Sequence, residues 1–562
     1  MGSLSIVVSV LVPRHLPNWM GILLSIPPSD KLEYPLPPES KRRMALTPGL
    51  HDTYLLGLLI VALGAVSLSR LSKRRKSPWR LPPSPKSDPL FGHIRFLPSV
   101  DEHIVYKQWS DELKSDIISL NMMGQIIIVL NSAEVANELL VKRSAIYADR
   151  PQMAMVRSER LTGWGNNTAF LSHGERWRQQ RKMSHEVLHR KSTEELWPVI
   201  VKQSRLALQR LLDHPTECLA EFKRMAASSI LSSAYGYEVT SADDDFLEIV
   251  EAANQGLIST ALAGNFFVNV IPWLEYIPTW FPGAEWKRLA NKWRTDKDKM
   301  LHTPFNWTKS QMTAGTAPPS MLKNLLTSLA NKDIDLASLL KEEDHIRWTT
   351  GTMFSAGSDT SVAVLMVFVL AMTMHPEVQA KAQREIDAVL GGNRLPGMED
   401  KISLPFTQCL IKEVLRWRQI VPLAIPHKCT QDNNYKGYHI PEGSMIIANS
   451  WAMSNDPRVY PRPGDFNPDR FLDSSVPEAP TFGYGRRGCP GVHFAEATLF
   501  ITISTMLAVF DIRPICDEVG NPILPSGQMG PNLLVSHPAP FDCVISPRSK
   551  NHEQLLREWA EA

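Results

Sequence analysis

One cysteine near the end of the chain sits in chemically suggestive company. Residues Phe482 to Gly491 read FGYGRRGCPG, with glycines at 483, 485, 488 and 491 and arginines at 486 and 487 around Cys489. Glycine permits positive φ and close backbone approach, so several N–H groups could point at the sulfur. Such donors suit a thiolate, which serves as a metal ligand or as a nucleophile. A nucleophile would want a base, and His493 lies four residues on. A helix starting at Pro490 would aim that histidine away from the sulfur. A buried structural cysteine is the competing reading of the sulfur alone.

Three further groups could do chemistry. TTGTMFSAGSDTSVAVLMVFVLAMTM (Thr349 to Met374) is a long apolar helix interrupted by Ala356-Gly357-Ser358-Asp359-Thr360. An acid and a hydroxyl side by side in an apolar run demand an explanation, and the small residues would let something large lie against the helix. The apolar part after Asp359 is too short for a bilayer span of about 20 residues. Glu413 and Arg416 share a helix face at i, i+3 spacing, as Trp177 and Arg181 do at i, i+4. If exposed, the Glu413–Arg416 pair would be worth at most about 1 kcal/mol.

The spacing F-G-x-G-x-R-x-C-x-G resembles the heme-binding signature of the cytochrome P450 family, and the likeness runs from about Leu81 to about Pro547. The resemblance implies that Cys489 is the axial ligand of heme iron, with a cysteinate pushing electron density toward O–O cleavage. It implies that Phe482 shields the sulfur, that Gly483, Gly485 and Gly491 shape the loop, and that Arg487 pairs with a heme propionate. The same family pattern brings Trp177, Arg181 and His427 to the propionates, where cations would fix the cofactor's orientation. It places the Ala356–Thr360 element across the distal heme face, with Asp359 and Thr360 as the catalytic pair that steers protons. Arg470, in FNPDRF, would join Glu413 and Arg416 as structural support. Pocket positions by the same likeness are the region before Trp177, Ile258 to Phe267, Phe354 and Ser355, and Val421 to Ile425.

These residues need a scaffold. Apolar content of 43% in 562 residues is enough for a large core, and a formal charge of +2 offers no global field for nucleic acid. Six scattered cysteines form no C-x-x-C pair, which argues against a disulfide framework or a zinc knuckle. IIIVL (Ile126 to Leu130) reads as a strand and Tyr435 to Asn449 as strand, turn and strand. His375 to Gly392 reads as a helix with Pro376 in its first turn and Gly391 at its end. We find no internal repeat. The expected fold is mainly α with small β-sheets, one large P450-type domain over 90–548 after an N-terminal membrane anchor.

The anchor rests on Tyr54 to Ser69, YLLGLLIVALGAVSLS, followed by the basic stop RLSKRRK. Under the positive-inside rule this places the body in the cytosol. The expected boundaries are an anchor with its basic stop over 44–76, a proline-rich hinge over 77–89 and a polar tail over 549–562. Residues 1–43 carry Lys41, Arg42 and Arg43 on the wrong side of the anchor, so they read as an extension or a processed leader. Ile271 to Lys287, with Trp273, Tyr276, Trp280 and Phe281, reads as an aromatic belt at a membrane surface, a packed interior loop being the alternative.

The resemblance therefore implies a monooxygenase with heme b that inserts one atom of O2 into a small lipophilic substrate. No dinucleotide fingerprint is present, so electrons from NADPH would arrive through a separate NADPH-cytochrome P450 reductase docking near Arg486. The expected setting is the endoplasmic reticulum membrane, in fungal secondary metabolism. The likeness is to mushroom-type members, which include terpenoid oxidases and a tryptamine 4-hydroxylase. A terpenoid is the expected substrate, and an indole amine the alternative. A heme-thiolate isomerase or dehydratase and a non-enzymatic heme binder are the remaining readings.

Overall fold

β-Branched runs meet at a tight turn near the start of the body. Strands β1 (Ile117–Met122) and β2 (Gln125–Leu130) pair antiparallel across Met123 and Gly124, both at positive φ, as a two-residue hairpin requires. The computed structural model describes residues 80–89, 91–98, 100–260, 266–269, 271–531 and 534–559. The expected leader over 1–43 and the anchor with its basic stop over 44–76 lie outside these residues.

Beyond this hairpin the chain is mostly helical. The helices that position the site are α1 (Glu175–Leu188), α2 (Trp197–Asp213), α3 (Cys218–Ile230), α4 (Leu336–Met374), α5 (Pro376–Leu390) and α6 (Pro405–Trp417). Strands β3 (His427–Lys428) and β4 (Met445–Ala448) complete the sheet in the order β1-β2-β4-β3, with β4 parallel to β2 and antiparallel to β3. The second strand expected in Tyr435 to Asn449 is thus delivered to this sheet. Pro376 opens α5, and Gly391, at φ 65°, ends it in the left-handed conformation that glycine tolerates.

Among the described residues two helices, α4 and α7 (Val492–Val509), are long and apolar enough to cross a membrane. Both are core helices here: α4 packs on α1, α3 and α7, and Phe368, Val369, Phe500 and Ile501 are fully buried among them. Helix α4 begins earlier than the apolar run suggests, capped by Asp335, whose carboxylate accepts from Ser338 N. The AGSDT stretch does not interrupt it.

Two expected connectors are more ordered than their composition suggests. In the proline-rich stretch, the Pro83 carbonyl accepts from Ser119 N in β1, and the Pro85 carbonyl lies 3.1 Å from His93 Nε2. The polar tail forms α8 (Lys550–Trp559), which packs on α2 with Leu556 buried and Arg557 paired to Asp213 at 2.9 Å. By contacts the chain divides into a large unit, Pro83–Asn433 with Ile440–Ala562, and a small unit. The small unit's described residues are Arg80–Pro82 and Asn434–His439, bridged between Arg80 and Tyr438.

Candidate functional site

The loop that carries Cys489 is held by its own backbone. Cys489 N donates to Phe482 O at 2.7 Å, Arg487 N to Tyr484 O at 3.0 Å and Gly488 N to Gly485 O at 3.1 Å. Gly483 and Gly485 have positive φ, and a Cβ on Gly485 would lie 2.5 Å from the Leu140 carbonyl oxygen. Three loop N–H groups, those of Arg487, Gly488 and Cys489, are therefore committed to turns, and the backbone donor that reaches the sulfur is Gly491 N. This corrects the expectation of several donors from the glycines at 483, 485 and 488; Gly488 itself has φ −52°. Burial by the surrounding protein pushes the Cys489 thiol up, opposed by Gly491 N–H and the charge of Arg181. The residue is nonetheless exposed.

Around this loop the fold gathers basic side chains, Arg487 and His427 buried and Arg181 half-buried. Helix α1 turns Trp177 and Arg181 toward it: Arg181 Nη2 donates to Gly488 O at 2.7 Å, and the Arg487 guanidinium lies 4.6 Å from the centre of the Trp177 ring. Arg487 donates to the carbonyls of Ala148, Thr168 and Leu171. Burial pulls its guanidinium down to about 10, with Asp149 opposing and Arg181 adding to the fall, so it remains cationic at neutral pH. His427, in β3, is buried, and its Nδ1 lies 2.8 Å from Tyr147 O. Burial and then the charge of Arg150 hold it well below the usual histidine range, so it is neutral instead of the cation the propionate analogy suggests.

Sequence reasoning missed Arg150. It is buried, donates to Ala169, Ile425 and Pro426 carbonyls, and is pulled down by burial and by the charge of Arg487. Among the described residues no carboxylate lies within ion-pairing distance of Arg150, Arg181 or Arg487. The only hint in the sequence was an arginine in a short loop, which composition cannot distinguish from a surface residue.

Thr168 links the cysteine loop to α4: its N–H lies 3.3 Å from Thr352 Oγ1, while its carbonyl accepts from Arg487. Ala356 is exposed and Thr352 and Thr360 are half-buried, a stripe at i, i+4, i+8 beside half-buried Gly357 and Asp359. Thr360 Oγ1 donates to Ala356 O at 2.9 Å. Asp359 Oδ1 lies 3.0 Å from His537 Nε2, and its Oδ2 is buried with no hydrogen-bond partner. His537 was another omission, since 178 residues separate the two.

Other positions on α4 face elsewhere than expected. Phe354 is fully buried against Tyr235, with ring centres 5.9 Å apart, and Ser355 Oγ donates to Asn254 at 2.6 Å. Both belong to the helix-packing core, so they do not share the open stripe. A Cβ on Gly357 would meet Ile230 at 2.8 Å, so this small residue serves the α3–α4 contact. Of the remaining pocket positions, Val421 and Ile425 are half-buried.

Support comes from α6. Glu413 and Arg416, both 0% exposed, form a bidentate pair at 2.7 and 2.8 Å; Arg470 reaches Glu413 at 3.2 Å and Asn467 N donates to it at 2.8 Å. Arg416 also donates to the Ser454 and Pro463 carbonyls, which ties α6 to the segment leading into the cysteine loop. His493 turns away, 3.7 Å from Glu496 in a surface cleft with Trp197 and Ile402. The aromatic stretch stands out in solvent, with Trp273 at 65%, Tyr276 at 62% and Trp280 at 78% exposure, which excludes a packed interior loop.

The family model described as "Cytochrome P450" matches residues 82–543. A cytochrome P450 monooxygenase of Postia placenta, number 98, is 39% identical, over 89% of this chain and 96% of its own. One from Armillaria gallica is 36% identical, over 90% of this chain and 99% of its own. Among solved structures, a zebra fish cytochrome P450 with progesterone superposes with a TM-score of 0.66 at 24% identity, over 80% of this chain and all of that one, a likeness of fold. The chain belongs to the cytochrome P450 family, heme-b monooxygenases that take electrons from NADPH through a reductase.

Proposed function

We propose that Cys489 is the axial ligand of the heme and that the enzyme oxidises a small lipophilic metabolite, a terpenoid, at a membrane surface. The observation that carries the reading is the pairing of an open Cys489 with three arginines, two buried and one half-buried, that lack carboxylate partners among the described residues. Arg150 and Arg487 are buried and Arg181 is half-buried; all three donate to backbone carbonyls, Arg487 also lies over the Trp177 ring, and the two propionates of heme b are the anions such a site fits. His427 gives its Nδ1–H to Tyr147 O, and an anionic propionate beside Nε2 would favour the protonated ring against the burial and the Arg150 charge that hold it neutral. The bound heme supplies reductive activation of O2, one atom going to substrate and the other to water.

The chain's own residues supply position and protons. Gly491 N–H and the Arg181 charge favour the anionic form of Cys489 against its burial. The Ala356–Thr360 stripe gives a small, partly polar wall for the reacting side. Asp359 and Thr360 stand side by side there as the proton-transfer pair, Thr360 lending a hydroxyl whose own donor bond is to Ala356 O. That pair favours a monooxygenase over a peroxide isomerase or dehydratase.

The lipophilic substrate is supported by the exposed Trp273, Tyr276 and Trp280, which suit a headgroup-level belt beside a bilayer. A protonated indole amine would want a carboxylate in the pocket, and the acid on the open side of α4, Asp359, is engaged with His537. Arg486, exposed beside the cysteine loop, marks the face where a reductase would dock. The test is NADPH- and reductase-dependent oxygen uptake in membranes, with sesquiterpenes and tryptamine offered in parallel. Uptake and a hydroxylated product with terpenes support the reading; turnover of tryptamine alone overturns the substrate class.

A further inference from the structure

We propose that His537 is a relay residue that brings protons from solvent to Asp359. The proposal rests on the reading of Asp359 and Thr360 as the proton-transfer pair and extends it outward to the surface. His537 Nε2 lies 3.0 Å from Asp359 Oδ1, and its side chain is 30% exposed against 16% for the aspartate. One ring thus touches water and the buried acid together. Its backbone is pinned on both sides, Ser536 N donating to Ile420 O and Gly530 N to His537 O, each at 2.8 Å.

The partner's chemistry matters. Among the described residues no lysine or arginine lies within ion-pairing distance of Asp359. A permanent cation would only hold the carboxylate ionised, whereas an imidazolium can hand its proton over. The second carboxylate oxygen, Oδ2, is buried with no partner, a costly arrangement unless a group in the pocket uses it. The two oxygens therefore differ: Oδ1 meets the solvent-side histidine, and Oδ2 is buried with no hydrogen-bond partner.

In the relay, the Nε2–H bond of the His537 imidazolium breaks and an O–H bond forms on Asp359. Rotation about Cβ–Cγ of the acid turns that O–H toward the side Oδ2 faces, and the proton leaves to a hydroxyl or water there. The carboxylate is regenerated, and the neutral ring takes one proton from bulk water. One proton enters for each that departs, and no electron moves.

The experiment uses the full-length holoenzyme in membranes with its reductase, comparing the unsubstituted enzyme with His537→Gln, Asp359→Asn and the double variant. His537→Gln keeps a hydrogen-bond donor but carries no transferable proton; His537→Asn replaces it if the glutamine variant loses the thiolate spectrum. We expect His537→Gln to slow NADPH oxidation about a hundredfold, to raise the peroxide released per NADPH and to increase the solvent isotope effect. The double variant should match Asp359→Asn alone, because the two residues act in series. In 15N-histidine-labelled ferrous carbon monoxide protein, the Nε2–H signal that disappears in His537→Gln should shift in Asp359→Asn. An unchanged peroxide fraction and isotope effect in His537→Gln, multiplying effects in the double variant, or an unmoved Nε2–H signal overturns the relay while the thiolate spectrum stands. An unshifted Soret band in the unsubstituted enzyme overturns the heme-thiolate reading itself, and the relay with it.

Discussion

The guanidinium of Arg181 donates a 2.7 Å hydrogen bond to the carbonyl of Gly488, the residue immediately before Cys489. Helix α1 and the cysteine loop, 307 residues apart in the chain, are fastened to each other at the sulfur. This contact is more informative than the helix-face spacing of Trp177 and Arg181, because it shows what the face is turned toward.

Arg181→Ala should weaken heme retention. A charge-assisted hydrogen bond is worth about 1.5–3 kcal/mol, or roughly 10–100-fold in affinity. The measure is the ratio of Soret to protein absorbance after dialysis, with Arg181→Lys retaining part of the cofactor. Equal heme content in Arg181→Ala would contradict the assigned role.

Glu413→Ala would leave Arg416 and Arg470 without their shared carboxylate, and Arg416 is wholly buried. Removing one partner of such a pair costs roughly 3–5 kcal/mol. Chemical denaturation of the purified protein should show an unfolding free energy lower by that much, seen as a lower midpoint, and heme loss should follow unfolding. A midpoint equal to that of the unsubstituted protein would mean the network adds no stability.

Thr360→Ala should leave the carbon monoxide spectrum intact and redirect electrons from product to peroxide. Loss of a positioned hydroxyl in proton transfer lowers product formation about a hundredfold or more. Product, peroxide and NADPH counted together will decide it: product formation at the original yield per NADPH would remove Thr360 from the catalytic pair.

Stability should depend on acid through His103. This ring is buried, its Nδ1 has no partner, and burial holds it down to about 4, with Asp101 opposing. Its folded value lies below the unfolded 6.5, so its contribution is complete above about pH 6.5 and is lost as pH falls toward 4. The slope approaches about 1.4 kcal/mol per pH unit. Denaturation midpoints between pH 7 and about 4.5 should fall less steeply for His103→Gln than for the unsubstituted protein; parallel curves would contradict the assignment.

The cysteine loop, the Glu413–Arg416 pair and the end of α5 were legible in the sequence because each is a local pattern with a local cause. The facing of α4 was not. Most of its length after Gly351 is apolar on all sides, so periodicity could not tell that Phe354 and Ser355 look into the helix core while Ala356 and Thr360 lie open. Arg150 and His537 were invisible for a different reason: their partners come from distant segments, and a lone charged residue in a loop reads as surface. Helix α8 was hidden by its composition, in which Leu556 is the residue that inserts into the core.

The central claim is that Cys489 ligates the heme iron. Ferrous enzyme under carbon monoxide should show a strongly red-shifted Soret band, and Cys489→Ala should abolish that band even where some heme is retained. A red-shifted band that survives in Cys489→Ala, or an unshifted band in the unsubstituted enzyme, would contradict the account.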